Sequence, residues 1–388
     1  MKKRHNLLEI KGLTSFFASL MAIIAGLLFG LIILFISNSE QAMPAFLTIL
    51  VGGIVDGTKG IAQELYYATP IILTGLSVGF AFKTGLFNIG ASGQFTCGAF
   101  AAIFIGIKWT FLPPGIHWLI ALIGAMIAGA IWGAGPGLLK AFFNVNEVIT
   151  SIMMNYIGMY LVNMAIVKTV YDSLKNQTKP VAASAIIPKA GLDKLFNASS
   201  LNIGIIIAIL MVIIVYIILN KTTFGYELKA CGQNKDASKY AGINEKKSII
   251  LSMVIAGGLS GLGGGLLYLS GSGKYLQVLD ILAPEGFNGI PVALLGMSHP
   301  IGILFAGLFI AHITVGGFNI QLYSFVPEVI DMIIAAIIYC GAFALLFKNL
   351  INKIIKVKFS ENMQDNKTND SSNGVSTEKS EEIIKEES

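Results

Sequence analysis

From Leu13 to Ile36 the chain places 24 residues in a row without one charge, "LTSFFASLMAIIAGLLFGLIILFI". That run exceeds the apolar core of a signal peptide and matches the roughly 20 residues that carry a helix across a bilayer. Such runs recur along the chain. They give ten candidate spans, at 13–36, 65–83, 86–106, 117–139, 148–167, 203–219, 248–270, 281–298, 300–318 and 328–347. The stretch "PAFLTILVGGIV" at 44–55 is too short to cross and reads as re-entrant or interfacial. Charged residues make up 13% of the 388 residues, half the share of about 25% in a soluble domain. A barrel would show short alternating strands instead. The expected fold class is an all-α polytopic membrane protein with about ten transmembrane helices.

Ten spans put both termini on one side, and the basic residues choose the side. With the N-terminus cytoplasmic, 19 of the 27 lysines and arginines fall on the cytoplasmic side. Five of the remainder lie in the outer loop at 168–202, which dilutes the rule without reversing it. The domain reading is then a cytoplasmic N-terminus at 1–12, a transmembrane domain at 13–358 and an acidic cytoplasmic tail at 359–388. The tail carries eight carboxylates against three lysines with little apolar content, the composition of a disordered segment. Without it the chain is +10, the basic balance of a membrane body with a positive inner face. That balance gives no ground for a nucleic-acid partner. Cys97, Cys231 and Cys340 have no paired or metal-binding spacing.

Several motifs invite chemistry and fail on their neighbours. "GSGKY" (Gly271 to Tyr275) looks like the end of a phosphate-binding loop. Tyr268 stands where that loop needs glycine, and Tyr275 where it needs the magnesium-holding Ser or Thr. ATP and Mg, if used, are therefore expected on a partner, with no cofactor in this chain. "GLSG" (Gly258 to Gly261) resembles the nucleophile motif of rhomboid intramembrane proteases, whose serine needs a histidine from another helix; His299 and His312 are the candidates. Small residues at helical spacing, here in "AGGLSGLGGGLL" and "AIWGAGPGLL", serve close helix packing, and that reading covers Ser260 as well.

Polar residues inside spans are costly and point to protein contacts or a water-filled path. "NVNEVITSIMMNYI" (Asn144 to Ile157) opens a helix that Asn146 can cap, with Glu147 in its first turn and Asn155 deeper. "PEGFNGIPVALLGMSHP" (Pro284 to Pro300) cannot be one continuous helix, because Pro291 breaks it. Broken spans line cavities and are a sequence pointer to a transport path. "KTGLFNIGASGQF" (Lys83 to Phe95) has the same character in the first half, so the two segments suggest a two-half pseudo-repeat. Asn88, Gln94, Asn155, Phe287 and Asn288 are the path candidates, since amides can bond ribose hydroxyls or base edges and Phe287 can stack on a base. An ion-coupled secondary transporter is the rival reading. It wants carboxylates near the midplane, and Glu64, Glu147, Glu285, Glu328 and Asp331 all lie near span ends.

"GLFNIGASGQ", "NEVITSIMMNYI", "GYELKACGQNKDASKYAGI" and "GFNGIPVALLG", in this order across about residues 10–350, resemble the permease subunits of ABC importers. The nearest branch is the nucleoside permeases that work with lipoprotein binding proteins of the basic membrane protein class; ribose-type sugar and branched-chain amino acid permeases are the neighbouring branches. Pro291, where the family usually has a small residue, and the acidic tail depart from the pattern. The resemblance implies a multi-pass protein of the bacterial plasma membrane that catalyses no covalent chemistry. Its implied partners are an ABC ATPase, a second permease subunit as hetero- or homodimer, a substrate-binding lipoprotein and a nucleoside, probed first as a purine. It also implies that the polar loop at 220–247 docks on the ATPase. There Asn234 can cap a helix from Lys235 and Gly242 can end it; Ala237 and Ala241 form a small face, and Tyr240 an aromatic anchor.

Overall fold

The structure, a computed structural model, describes residues 2–197, 200–323, 325–343, 346 and 349. The expected tail at 359–388 lies outside them. Residues Ala25–Ala342 form one compact unit, and every contact below lies within it. A second unit combines Met1–Ile24 with Phe343–Ser388, and of it the helical start of α1 is described.

The long helices are α1 (Lys2–Ser37), α3 (Thr58–Lys83), α4 (Ala91–Lys108), α5 (Pro114–Phe143), α6 (Glu147–Thr169), α8 (Gly204–Lys221), α11 (Glu245–Tyr268), α14 (Pro300–Asn319) and α15 (Pro327–Ala342). Shorter segments join them: α2 (Ala42–Val51) with a 3-10 turn at Gly52–Asp56, α7 (Leu192–Leu195), α9 (Thr223–Gln233), α10 (Lys235–Tyr240), α12 (Pro284–Phe287) and α13 (Gly289–Leu295). A two-residue antiparallel ladder pairs β1 (Tyr171–Asp172) with β2 (Gln177–Thr178) in the loop after α6. Among the described residues, seven helices are long and apolar enough to cross a bilayer. Three expected spans are not among them. α4 opens on Ser92 and Gln94, which lower its mean hydropathy; α15 is described over 16 residues; and 281–298 is not one helix.

Helix α11 is the axis of the bundle, and its glycines are the reason. A Cβ on Gly257 would stand 2.3 Å from the Gly129 carbonyl oxygen, one on Gly261 2.5 Å from that of Ala125, and one on Gly133 2.4 Å from that of Met253. These contacts run in opposite senses along α5 and α11, so the two helices are antiparallel with backbones touching. On its other side α11 meets α4, where a Gly264 Cβ would lie 2.4 Å from the Phe95 oxygen. Without a hydrophobic force between helices in lipid, close backbone approach supplies the dispersion contact that holds them.

Contacts along the chain show that successive segments alternate in direction. α14 runs against α3: Gly79 faces Ile303, Gly307 faces Ile72, and His312 bonds Glu64. The stretch 276–298 runs the other way, with Gly289 on Thr74, and Val292 on Gly75, before Ser298 reaches Gly79. It therefore travels alongside α3 as extended chain and two short helices, the broken segment that Pro291 leads one to expect at 281–298. Pro291 explains why this is tolerable. The break at Asn288 puts it in the first turn of α13, where its missing N–H has no intrahelical partner to lose. The 44–55 stretch forms α2 and the start of the 3-10 turn, folded against α14.

Candidate functional site

The turn between α3 and α4 lies in place of helix over 86–90. Gly85 takes a φ of +71°, and Phe82 stacks on Phe87 with ring centroids 5.0 Å apart. The chain then turns back into the bundle and buries Asn88 completely. Asn88 and Gln94 bond amide to amide: Asn88 Nδ2 donates to Gln94 Oε1 at 2.8 Å, and Gln94 Nε2 donates to Asn88 Oδ1 at 3.0 Å. Asn88 Nδ2 also donates to Ser77 Oγ of α3 at 3.1 Å. From α6, Asn155 clamps the same turn. Its Oδ1 accepts from the Gly93 N–H at 2.8 Å, and its Nδ2 donates to the Ile89 carbonyl at 3.0 Å. Gly93 is glycine because a Cβ there would stand 2.9 Å from the Asn155 Cα. An unpaired amide here, with no water to receive it, costs roughly 1–3 kcal/mol or more, so the pairing fixes the turn. Ser151 is fully buried beside Gly90, and its Oγ has no partner among the described residues.

Thus Asn88, Gln94 and Asn155 come together in one network. Phe287 and Asn288 sit on the neighbouring strip of chain. Ser92 Oγ donates to the Ala283 carbonyl at 2.8 Å, tying the start of α4 to that of α12. Gly286 lies against Ser92, where a Cβ would be 2.3 Å from its Cα, and Gly289 against Thr74, 2.4 Å from its carbonyl carbon. Three residues apart, the two glycines share one packed face. Phe287 and Asn288, between them, are left half-buried on the other. Sequence reasoning missed Ser77 and Ser92, which carry no pattern of their own; the clue was the glycine pair that brings the backbones together.

Two other motifs resolve by their partners. Ser260 Oγ donates to the Ala91 carbonyl at 2.7 Å, so its proton is committed to backbone. His312 faces Glu64 Oε1 at 2.7 Å and the Leu50 carbonyl at 3.0 Å, and the His299 ring packs 5.8 Å from that of Tyr216. The rhomboid-like reading therefore falls. "GSGKY" is a turn after α11, with Lys274 over the Tyr67 ring.

At the Lys83 end of the bundle, the loop of 220–247 is a folded element. Thr222 caps α9, and Gly225 lets α9 fold back on α8, a Cβ there falling 2.0 Å from the Ile218 oxygen. Gly232 touches the α3–α4 turn, 2.5 Å from the Lys83 oxygen by the same measure. Asn234 Oδ1 accepts from the Ala237 N–H at 3.0 Å, which starts α10 at Lys235. Gly242, with φ +81°, ends it, as the Gly242 and Ile243 N–H groups bond back to Lys239 and Ser238. Ser238 is buried beneath, while Ala237, Tyr240, Ala241 and Gly242 are exposed, Tyr240 by 94%. Beside α10 a cavity of about 650 Å³ is lined by Thr84, Lys140, Glu147, Gln233, Asp236 and Glu245 among others; Lys140 pairs with Glu147 at 2.8 Å. Asn146 caps α6 there through the Val148 N–H.

The chain is 39% identical over 355 residues to the guanosine ABC transporter permease protein NupP of Bacillus subtilis (strain 168), covering 89% of this chain and 99% of that one. It is 37% identical over 350 residues to the nucleoside ABC transporter permease protein NupB of Lactococcus lactis subsp. cremoris (strain MG1363), covering 88% and 94%. A second Bacillus subtilis (strain 168) relative, the guanosine ABC transporter permease protein NupQ, is 29% identical over 278 residues, covering 69% and 86%. No solved structure matches the chain. Residues 60–342, which contain the amide network, the broken segment and α10, match the family model described as branched-chain amino acid transport system / permease component. With that match over most of its length, and seven described helices long and apolar enough to cross a bilayer, the chain belongs to this family of membrane permeases.

Proposed function

We propose that this permease forms the path by which nucleosides, purine nucleosides first, enter the cell. A separate ATPase holding ATP and Mg would drive transport, and an external lipoprotein would deliver the substrate. As a multi-pass membrane permease it carries out no covalent chemistry. The substrate reading is supported by NupP, a guanosine permease, and NupB, a nucleoside permease, which nearly the whole chain matches. That one organism has both NupP and NupQ supports a second, different permease as partner. Alternation in direction from α3 to α14, with α1 and α15 at the ends, supports ten crossings and two cytoplasmic termini. In that reading Asn88, Gln94 and Asn155 hold the wall of the path in shape, and Phe287 and Asn288 face it.

One observation carries the coupling role. α10 is capped at both ends and anchored by buried Ser238, yet it leaves a tyrosine ring 94% exposed between two exposed alanines. A ring held in water on a rigid helix is a contact awaiting a partner. The ATPase is that partner in this reading. Cells lacking the permease should lose uptake of radiolabelled guanosine and adenosine at low concentration. Intact nucleoside uptake with lost ribose or leucine uptake would move the chain to a neighbouring branch.

A further inference from the structure

Six side chains that the network above leaves unused meet where the extended stretch joins α12. Tyr67 of α3 stands edge-on to Tyr66, centroids 5.2 Å apart, and 5.4 Å from Phe318 of α14. The Lys274 ammonium lies over the Tyr67 ring at 5.3 Å. Glu285, in the first turn of α12, is 4.0 Å from that ammonium, at the limit of an ion pair. Tyr66 bonds Ser272 at 2.7 Å and so holds the loop that carries Lys274.

Placement makes this cluster unusual. Tyr66 bonds the loop after α11, so the Tyr67 ring stands at that end of the bundle, while Glu285 precedes a glycine pressed on Ser92 of α4. Glu285 therefore reaches the rings from inside the bundle, yet the Lys274 and Glu285 side chains are 35% and 27% exposed. A partly exposed ion pair on a membrane bundle is too costly to face lipid, so it faces water or a polar ligand. At 4.0 Å the pair is loose, which leaves the carboxylate able to accept from a hydroxyl.

We propose that Tyr67, Phe318, Lys274 and Glu285 form a ribonucleoside-binding site on the outer side of the broken segment. The Tyr67 and Phe318 rings take the base, and Glu285 accepts hydrogen bonds from the ribose 2′- and 3′-hydroxyls. The site rests on the nucleoside reading and adds to it a prediction about the sugar. A carboxylate accepting from a diol loses that gain when the hydroxyls are absent, whereas ring stacking does not depend on them.

The test uses the whole purified transporter in detergent, without its external binding protein, and tritiated guanosine by equilibrium dialysis. Unlabelled guanosine and 2′,3′-dideoxyguanosine serve as competitors. Glu285→Gln should weaken displacement by guanosine about ten- to a hundredfold and leave that by the dideoxy compound unchanged. Tyr67→Leu should weaken both, and Tyr67→Phe neither. A merely structural role for Glu285 predicts equal loss for both competitors, and that result overturns the proposal. So does a Glu285→Gln protein that binds both as the wild type does. Wild-type transporter that imports guanosine yet binds none here would remove the site and leave the nucleoside reading standing. Absence of guanosine import altogether would remove both.

Discussion

At the scale of single residues, glycine decides where the backbones meet, and the sequence does not say which glycine. Gly257 and Gly263 lie in the same helix, α11, within one glycine-rich string. A Cβ on Gly257 would collide with the Gly129 oxygen at 2.3 Å, while one on Gly263 would reach the Leu73 Cβ at 3.4 Å, an ordinary contact. Gly257→Ala should therefore destabilise the detergent-solubilised protein by about 1–3 kcal/mol, since backbone cannot give way as a side chain can. Gly263→Ala should be neutral or stabilising by up to about 1 kcal/mol through helix propensity. Thermal unfolding of the two variants separates them, and equal losses would mean that the α5–α11 crossing is not as tight as it stands here. The polar residues were more legible. An amide in a span has to find a partner, so Asn88, Gln94 and Asn155 stood out by cost alone. Their partners, Ser77, Ile89 and Gly93, did not, because a backbone group or a lone serine leaves no trace in composition. His312 shows the same limit: a histidine in an apolar helix marks a need for partners without revealing that they are Glu64 and the Leu50 carbonyl.

Elements were legible where local chemistry fixes them. Asn234, Lys235 and Gly242 specify α10 with its ends, because capping by an asparagine and termination by a left-handed glycine act within one turn. The start of α4 was placed at residue 86 and lies at Ala91. The apolar run there is continuous, but Gly85 and the buried Asn88 divert the backbone, a tertiary effect that hydropathy does not carry. If α10 docks in the ATPase, Ala237→Arg puts a guanidinium where a methyl group would be buried. A central disruption of that kind costs about 2–4 kcal/mol, roughly 30- to 1000-fold in affinity. On a helix that only meets water it should cost within about 0.5 kcal/mol. Ala237 is exposed on the isolated chain, so the substitution leaves the bundle intact in either case. Co-purification of the ATPase with wild-type and Ala237→Arg permease, at matched membrane expression, reads the difference. Full retention with normal uptake would dismiss α10 as the coupling element.

For the whole molecule the question is which way it sits in the membrane, and the two ends of the bundle make opposite demands. The loop after α6 carries the β1–β2 ladder, α7 and five lysines within 168–202, whereas the other loop carries α10 and, through Gly232 of α9, the contact with the Lys83 turn. Both loops are basic, so charge alone separates them weakly. Position separates them sharply. α8 runs from one loop to the other over 18 residues, about 27 Å, and is apolar throughout its middle. Whatever side holds Lys235, Ser200 must be on the other, unless α8 does not cross. Exposed Tyr240 and the cavity beside it then need the side where ATP is. Single cysteines at Ser200 and Lys235, in a background with Cys97, Cys231 and Cys340 replaced, measure both claims at once. Ser200→Cys should react with an impermeant maleimide in intact cells, and Lys235→Cys only after lysis. The reverse pattern would invert the protein and deny α10 an ATPase, leaving the bundle as described. Labelling of both from outside would mean that α8 does not cross, and the alternation of segments on which the ten crossings rest would fail with it.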